Sequence, residues 1–175
     1  YLQGDAVRLK AYGDMYAQGL QTGQAIRNII LDPATAKGHE NLEVASKAFE
    51  TAYSAANRAS PDGKPSPALS AIYAQWNEDK ALKERVRRLA QAGRQPEAIA
   101  LLNAEETPAW RKLKDNLLGE SRSIEKETTS AAASMIDAAE SGRRVSLISI
   151  GVAFFVGVTL TALTLGHLSR YLRQT

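Results

Sequence analysis

From Val145 to Gly166 the chain runs for 22 residues without a charged side chain, VSLISIGVAFFVGVTLTALTLG. At helical rise this run is roughly 33 Å long, enough to cross the hydrocarbon core of a bilayer. A buried helix of that length inside a soluble core normally carries a polar stripe, whereas this one offers only Ser and Thr. The segment therefore predicts a transmembrane helix over residues 143–168, with residues 1–142 as one folded domain before it. Its position far from the N-terminus excludes a cleaved signal peptide. Ala153 and Gly157 form a small-xxx-small pair of the kind that lets membrane helices approach closely.

The distribution of charge agrees with this division. The chain carries 22 basic and 19 acidic residues, net +3. Four of the basic residues, Arg143, Arg144, Arg170 and Arg173, flank the apolar run, and no acidic residue follows Glu140. Setting those four aside leaves 18 basic against 19 acidic residues over 1–142. The folded part is nearly neutral, so the basic excess belongs to the membrane edges and no nucleic-acid footprint is expected. Two arginines on each flank leave the orientation open by charge alone. A chain that opens at Tyr1 and stops seven residues past the apolar segment is expected to be a piece of something longer, with another membrane helix ahead of Tyr1.

Residues 1–142 read as helical almost throughout. Leu9, Tyr12, Tyr16, Gly19, Gly23, Ile26 and Ile30 recur at alternating spacings of three and four, a coiled-coil-like seam in which the glycines let neighbouring backbones approach. Asp32-Pro33 stops that helix, because the residue before proline disfavours the α region. A second helix is predicted from Thr35 or Ala36 to about Ala59, with Leu42, Ala45, Phe49, Ala52 and Ala56 as its seam. The stretch Ser60 to Pro67 holds three prolines and a glycine and must be a loop. A third helix follows over about 68–92, burying Leu69, Ile72, Trp76, Leu82, Val86 and Leu89, with Gly93 as its C-terminal cap. Pro96 restarts a helix from its first turn, and Thr107-Pro108 marks a kink or a new start. Beyond it Trp110, Leu113, Leu117, Ile124, Ala131 and Ala138 keep heptad register toward the membrane. The expected fold is all-α: an antiparallel up-down four-helix bundle that continues into the C-terminal transmembrane helix. Scarce aromatics, at 6%, and abundant alanine favour close helix packing over a β-sandwich.

Catalytic chemistry finds no foothold. There is no cysteine, which removes thiolate catalysis, disulfides and zinc-thiolate sites. His39 and His167 are far apart without ligand partners, and no nucleophile elbow or phosphate-binding glycine loop is present. Neither an enzyme, a metal nor a cofactor is expected.

Three stretches carry a family likeness: Gln24-Ala-Ile-Arg-Asn-Ile-Ile-Leu-Asp-Pro33, Ala92-Gly-Arg-Gln-Pro-Glu-Ala-Ile-Ala-Leu-Leu102, and the run from Trp110 through the apolar segment to Ser169-Arg-Tyr-Leu-Arg173. Together they resemble the periplasmic four-helix-bundle sensors of methyl-accepting chemotaxis receptors. The resemblance implies a sensor in the periplasm, anchored in the inner membrane, that detects small organic acids such as di- and tricarboxylates. It also implies a homo-oligomer, most simply a dimer, with residues 169–175 opening a cytoplasmic connector. The sensor of a membrane histidine kinase or diguanylate cyclase would share the same domain, and a tail-anchored helical adaptor is a third reading from another class.

In such a bundle the membrane-distal tip would gather the end of the first helix and the end of the third. Arg27 and Arg88 each lie about 6 Å below that tip. Gln24 and Asn28 flank Arg27, and Arg85 shares a face with Arg88 at i, i+3. Arginines converging beside an apolar seam supply the planar bidentate donors that carboxylates need. Arg27, Arg88, Arg85, Gln24 and Asn28 are thus the candidate ligand-binding residues, with Arg87 expected to point elsewhere. The alternative is that these arginines are solvated or pair with Glu84, Glu97 or Glu105. Trp76 and Trp110 are expected in the core.

Overall fold

The computed structural model describes residues 2–60 and 64–138. Helix α1 spans Leu2–Leu31, α2 Ala36–Arg58, α3 Pro67–Gln91 and α4 Gln95–Leu101. A π-helical turn over Leu102–Glu106 follows, and residues 107–138, here α5, are helical again. No strand occurs among the described residues, and the described part of the chain is all-α. The apolar run and the flanking arginines from Arg143 on, and with them the boundaries at 142 and 168, lie outside the described residues. No helix among the described residues is long and apolar enough to cross a membrane.

Each helix starts and stops for a local chemical reason. At the head of α2 the hydroxyl of Thr35 accepts from the Gly38 amide, and at the head of α3 Ser66 accepts from the Leu69 amide with Pro67 behind it. The end of α3 is a Schellman closure: the Arg94 amide donates to the Leu89 carbonyl and the Gly93 amide to the Ala90 carbonyl. Gly93 adopts φ +73° there, which an L side chain resists. Pro108 accounts for the π turn. Its ring cannot donate to Ala104 and would crowd that carbonyl, so the preceding turn widens until the Thr107 amide reaches the Leu102 carbonyl. The expected kink at Thr107-Pro108 thus takes the form of one π turn, with the helical run maintained.

The first compact unit covers residues 1–128 and is built on two clusters. One gathers Tyr12 and Met15 of α1, Phe49 and Ala56 of α2, Leu69 and Trp76 of α3, and Trp110, Leu117 and Ile124 of α5. The other gathers Ile26 and Ile30 of α1, Leu82 and Val86 of α3, and Leu101 and Leu102 at the π turn, with Leu42 of α2 packed on it. Successive helical runs therefore pass through the two clusters in alternating order. Phe49 and Trp76 stack at 3.9 Å, which puts Trp76 in the core as expected, and Trp110 is buried beside Tyr16. Gly19 corrects one expectation. It admits the Trp110 ring rather than a neighbouring backbone, for a Cβ there would stand 2.1 Å from Cζ3. The second unit, from Thr129 on, is described only over residues 129–138, where Met135 and Ile136 are exposed.

Candidate functional site

Two polar stripes meet between α2 and α3. On α2, His39, Leu42, Glu43, Ser46, Lys47 and Glu50 recur at the three-and-four spacing of a single helix face, and on α3 Lys80, Lys83, Glu84 and Arg87 do the same. They line a half-open cavity of about 330 Å³, at the small end of the range for small-molecule sites. Leu42 supplies the apolar wall.

Most of the charges in this cavity neutralise one another. Lys80 Nζ lies 2.7 Å from Glu50 Oε1. Arg87 forks onto Glu84, Nε donating to Oε2 at 2.8 Å and Nη2 to Oε1 at 2.9 Å. That hydrogen bonding holds the Glu84 carboxyl below its ordinary range, helped by the nearby charges of Arg87 and Arg88, and raises Arg87 in return. The residue left over is informative. Lys47 has no ion-pair partner among the described residues, and neither does the Nη1 of Arg87. On the acceptor side, Glu43 acts on Arg87 only through space. His39 Nε2 stands 3.0 Å from the Pro33 carbonyl, which can only accept, so Nε2 carries a proton. His39 Nδ1 is buried without a partner. Two unpaired cationic donors beside unpaired acceptors suit a small anion that also carries a hydroxyl.

The five expected site residues sit elsewhere. Arg27 is exposed on α1 and its Nη1 donates to the Gly23 carbonyl of its own helix at 2.9 Å. Gln24 and Asn28 are exposed beside it. Arg85 is paired with Glu105 of the π turn at 3.1 Å, and Arg88 lies 3.8 Å from Glu84. None of the five lines the α2–α3 cavity. Arg87 does line it, on a face of α3 apart from that of Arg85 and Arg88. The reason is helical phase: the face of α3 toward α2 runs through Lys80, Glu84 and Arg87, and Arg85 and Arg88 lie together to one side of it. The signal available in the sequence was the opposition in sign between Glu43, Lys47 and Glu50 on one helix and Arg87, Glu84 and Lys80 on the next.

A second polar feature lies deeper, where Asp79, Lys83 and Glu106 are each buried in the core. Positions 69, 72, 76, 79, 83, 86 and 90 of α3 alternate by threes and fours and are all buried. Asp79 and Lys83 therefore occupy core positions of the seam that the expectation had not named, beside Leu82, which is buried as expected, and Leu89, which is only partly buried. Among the described residues no group of three or more His, Cys, Asp or Glu side chains could hold a metal ion. The donors and acceptors at hand are of the kinds that ion pairing and hydrogen bonding require. No protein-family model matches the chain, and no curated protein or solved structure is significantly similar to it.

Proposed function

We propose that this chain is the ligand-binding sensor of a transmembrane receptor of the chemotaxis type, responding to small hydroxy-carboxylates such as malate or citrate. In this reading the helical runs form an antiparallel up-down bundle on the periplasmic side, residues 143–168 cross the inner membrane, and residues 169–175 begin the cytoplasmic connector. The observation that carries the ligand class is the α2–α3 cavity, in which Lys47 and the Nη1 of Arg87 remain unpaired while every other cation on its wall is matched. A carboxylate between them would accept from both, and its hydroxyl could donate to Glu43 or to His39 Nδ1. The long uncharged run 145–166 supports the membrane half of the proposal.

Calorimetry on the full chain, after a thermal-shift screen of di- and tricarboxylates, tests the assignment. Removing one member of a charge-paired site typically costs about 2–5 kcal/mol, roughly 30-fold or more in affinity. Arg87→Ala and Lys47→Ala are expected to weaken binding on that scale, and Arg27→Ala and Arg85→Ala to leave it near the parent's. The opposite pattern would move the site to the expected arginine cluster. A melting temperature raised only by amino acids would replace the hydroxyl donor with an ammonium at Glu43.

A further inference from the structure

Asp79 and Lys83 stand one turn apart on α3, on the stripe that also carries Trp76 and Val86, and Glu106 reaches them from the last residue of the π turn. Lys83 Nζ hydrogen-bonds Asp79 Oδ2 and lies 2.9 Å from Glu106 Oε1. All three side chains are at most 2% exposed. The second oxygen of Glu106 accepts from the Thr107 hydroxyl at 3.1 Å, whereas Asp79 Oδ1 is buried with no partner. Two carboxylates around a single ammonium leave one negative charge uncompensated where water cannot reach it, an arrangement that burial strongly disfavours. One proton on Asp79 removes that charge and leaves Lys83 and Glu106 as a neutral pair.

We propose that Asp79, Lys83 and Glu106 form a proton-operated latch on the π turn. With Asp79 protonated, Lys83 is committed to Glu106 and holds residues 102–106 wound. With Asp79 ionised, two carboxylates compete for one ammonium and the turn loosens. The proton goes to Asp79 because burial is the largest influence on it and pushes its carboxyl up from 3.8 to about 6, against the opposing pull of Lys83. Glu106 on the π turn and Glu78 on α3 add to the rise. The other packed elements bring little charge to bear. On α2, Glu50 is taken by Lys80. On α4, Glu97 is exposed and paired with Arg94. From α1, Tyr16 stacks on the Trp110 ring that Lys83 overlies at 5.6 Å.

The direction of the pH effect follows from the raised value. Asp79 holds its proton more tightly folded than unfolded, so its contribution to stability is full below about 3.8 and is lost as pH rises through about 6. Between pH 5 and pH 8 the folding equilibrium constant falls about tenfold through this group. The test is urea unfolding of the full chain in mild detergent at the two pH values, beside amide exchange of residues 102–107 corrected for its intrinsic pH dependence. Asp79→Asn, uncharged at both pH values, is expected to lose the tenfold component. Exchange at 102–107 is expected to quicken at pH 8 in the parent and not in the variant. A variant that keeps the parent's pH slope, or a parent whose exchange at 102–107 ignores pH, would overturn the latch. If Asp79→Asn does not fold, carbon-detected titration of the Asp79 carboxyl in the parent decides. A midpoint near 6 that coincides with the change in exchange upholds the latch, and a midpoint near 3.8 overturns it.

Discussion

Gly19 shows how one absent side chain sets the position of a large one. The Trp110 ring lies where a Cβ would be, with Cζ3 at 2.1 Å and Cη2 at 2.3 Å from that point. Because the ring is buried and flanked by Tyr16, it has no open direction in which to retreat. Gly19→Ala would gain about 1 kcal/mol of helix propensity, yet the overpacking it forces typically costs about 1–3 kcal/mol. The expected outcome is a net loss of stability in urea unfolding. Repeated in a Trp110→Leu background, the same substitution should become neutral or stabilising, since the clash is gone and the propensity remains. If Gly19→Ala destabilises both backgrounds equally, the ring contact is not the cause. Lys83 poses the same kind of question with charge instead of volume. Lys83→Met would strand two buried carboxylates, and breaking a buried pair from one side costs about 3–5 kcal/mol. The triple variant Asp79→Leu, Lys83→Met, Glu106→Leu should recover much of that loss in the same unfolding measurement.

At the level of elements, the closures between helices decide where each helix can point. The α3–α4 corner depends on Gly93 at φ +73° and on the two amides that cap Leu89 and Ala90. Gly93→Ala puts a Cβ into a left-handed conformation and is expected to cost about 1 kcal/mol. Gly119→Ala, on α5 with nothing within 4 Å of the new atom, should stabilise by up to about 1 kcal/mol. The two substitutions are chemically identical, so opposite shifts in urea midpoint would isolate the backbone requirement at the corner. The π turn is the other informative closure. It absorbs Pro108 without ending the helix, and it brings Glu106 onto Lys83. A break at Thr107-Pro108 was legible in the sequence. Its form was not, because whether a proline kinks, ends or widens a helix depends on what packs against the preceding turn.

For the whole molecule, a periplasmic sensor followed by a membrane crossing over residues 143–168 has a topology that the cysteine-free sequence allows to be tested cleanly. Ala17→Cys, at an exposed position of α1, should react with a membrane-impermeant thiol reagent applied to cells with a permeabilised outer membrane. Arg173→Cys should react only after the inner membrane is opened. Equal labelling of both sites in cells with an intact inner membrane would contradict the crossing, and protection of Ala17→Cys with labelling only after lysis would favour the cytosolic adaptor instead.

The helices themselves were determined by the sequence, because the causes are local. Period-3.6 burial, Asp32-Pro33, the proline-rich stretch 60–67 and the capping residues Thr35, Ser66 and Gly93 act within one or two turns of where they stand, and the ends of α1, α2 and α3 fall within a residue or two of expectation. Most of the seam residues, among them Tyr12, Ile26, Phe49, Trp76, Leu113 and Leu117, are buried as their spacing requires. The facing of polar stripes was decided only by tertiary structure. Arg85, Arg87 and Arg88 are near neighbours in sequence, yet a rotation of α3 about its own axis determines which of them meets α2, and no local rule sets that angle. The same holds for Asp79 and Lys83. Their spacing put them on the core seam, but a charged pair there is tolerable only because Glu106 arrives from another helix, through a turn widened by Pro108.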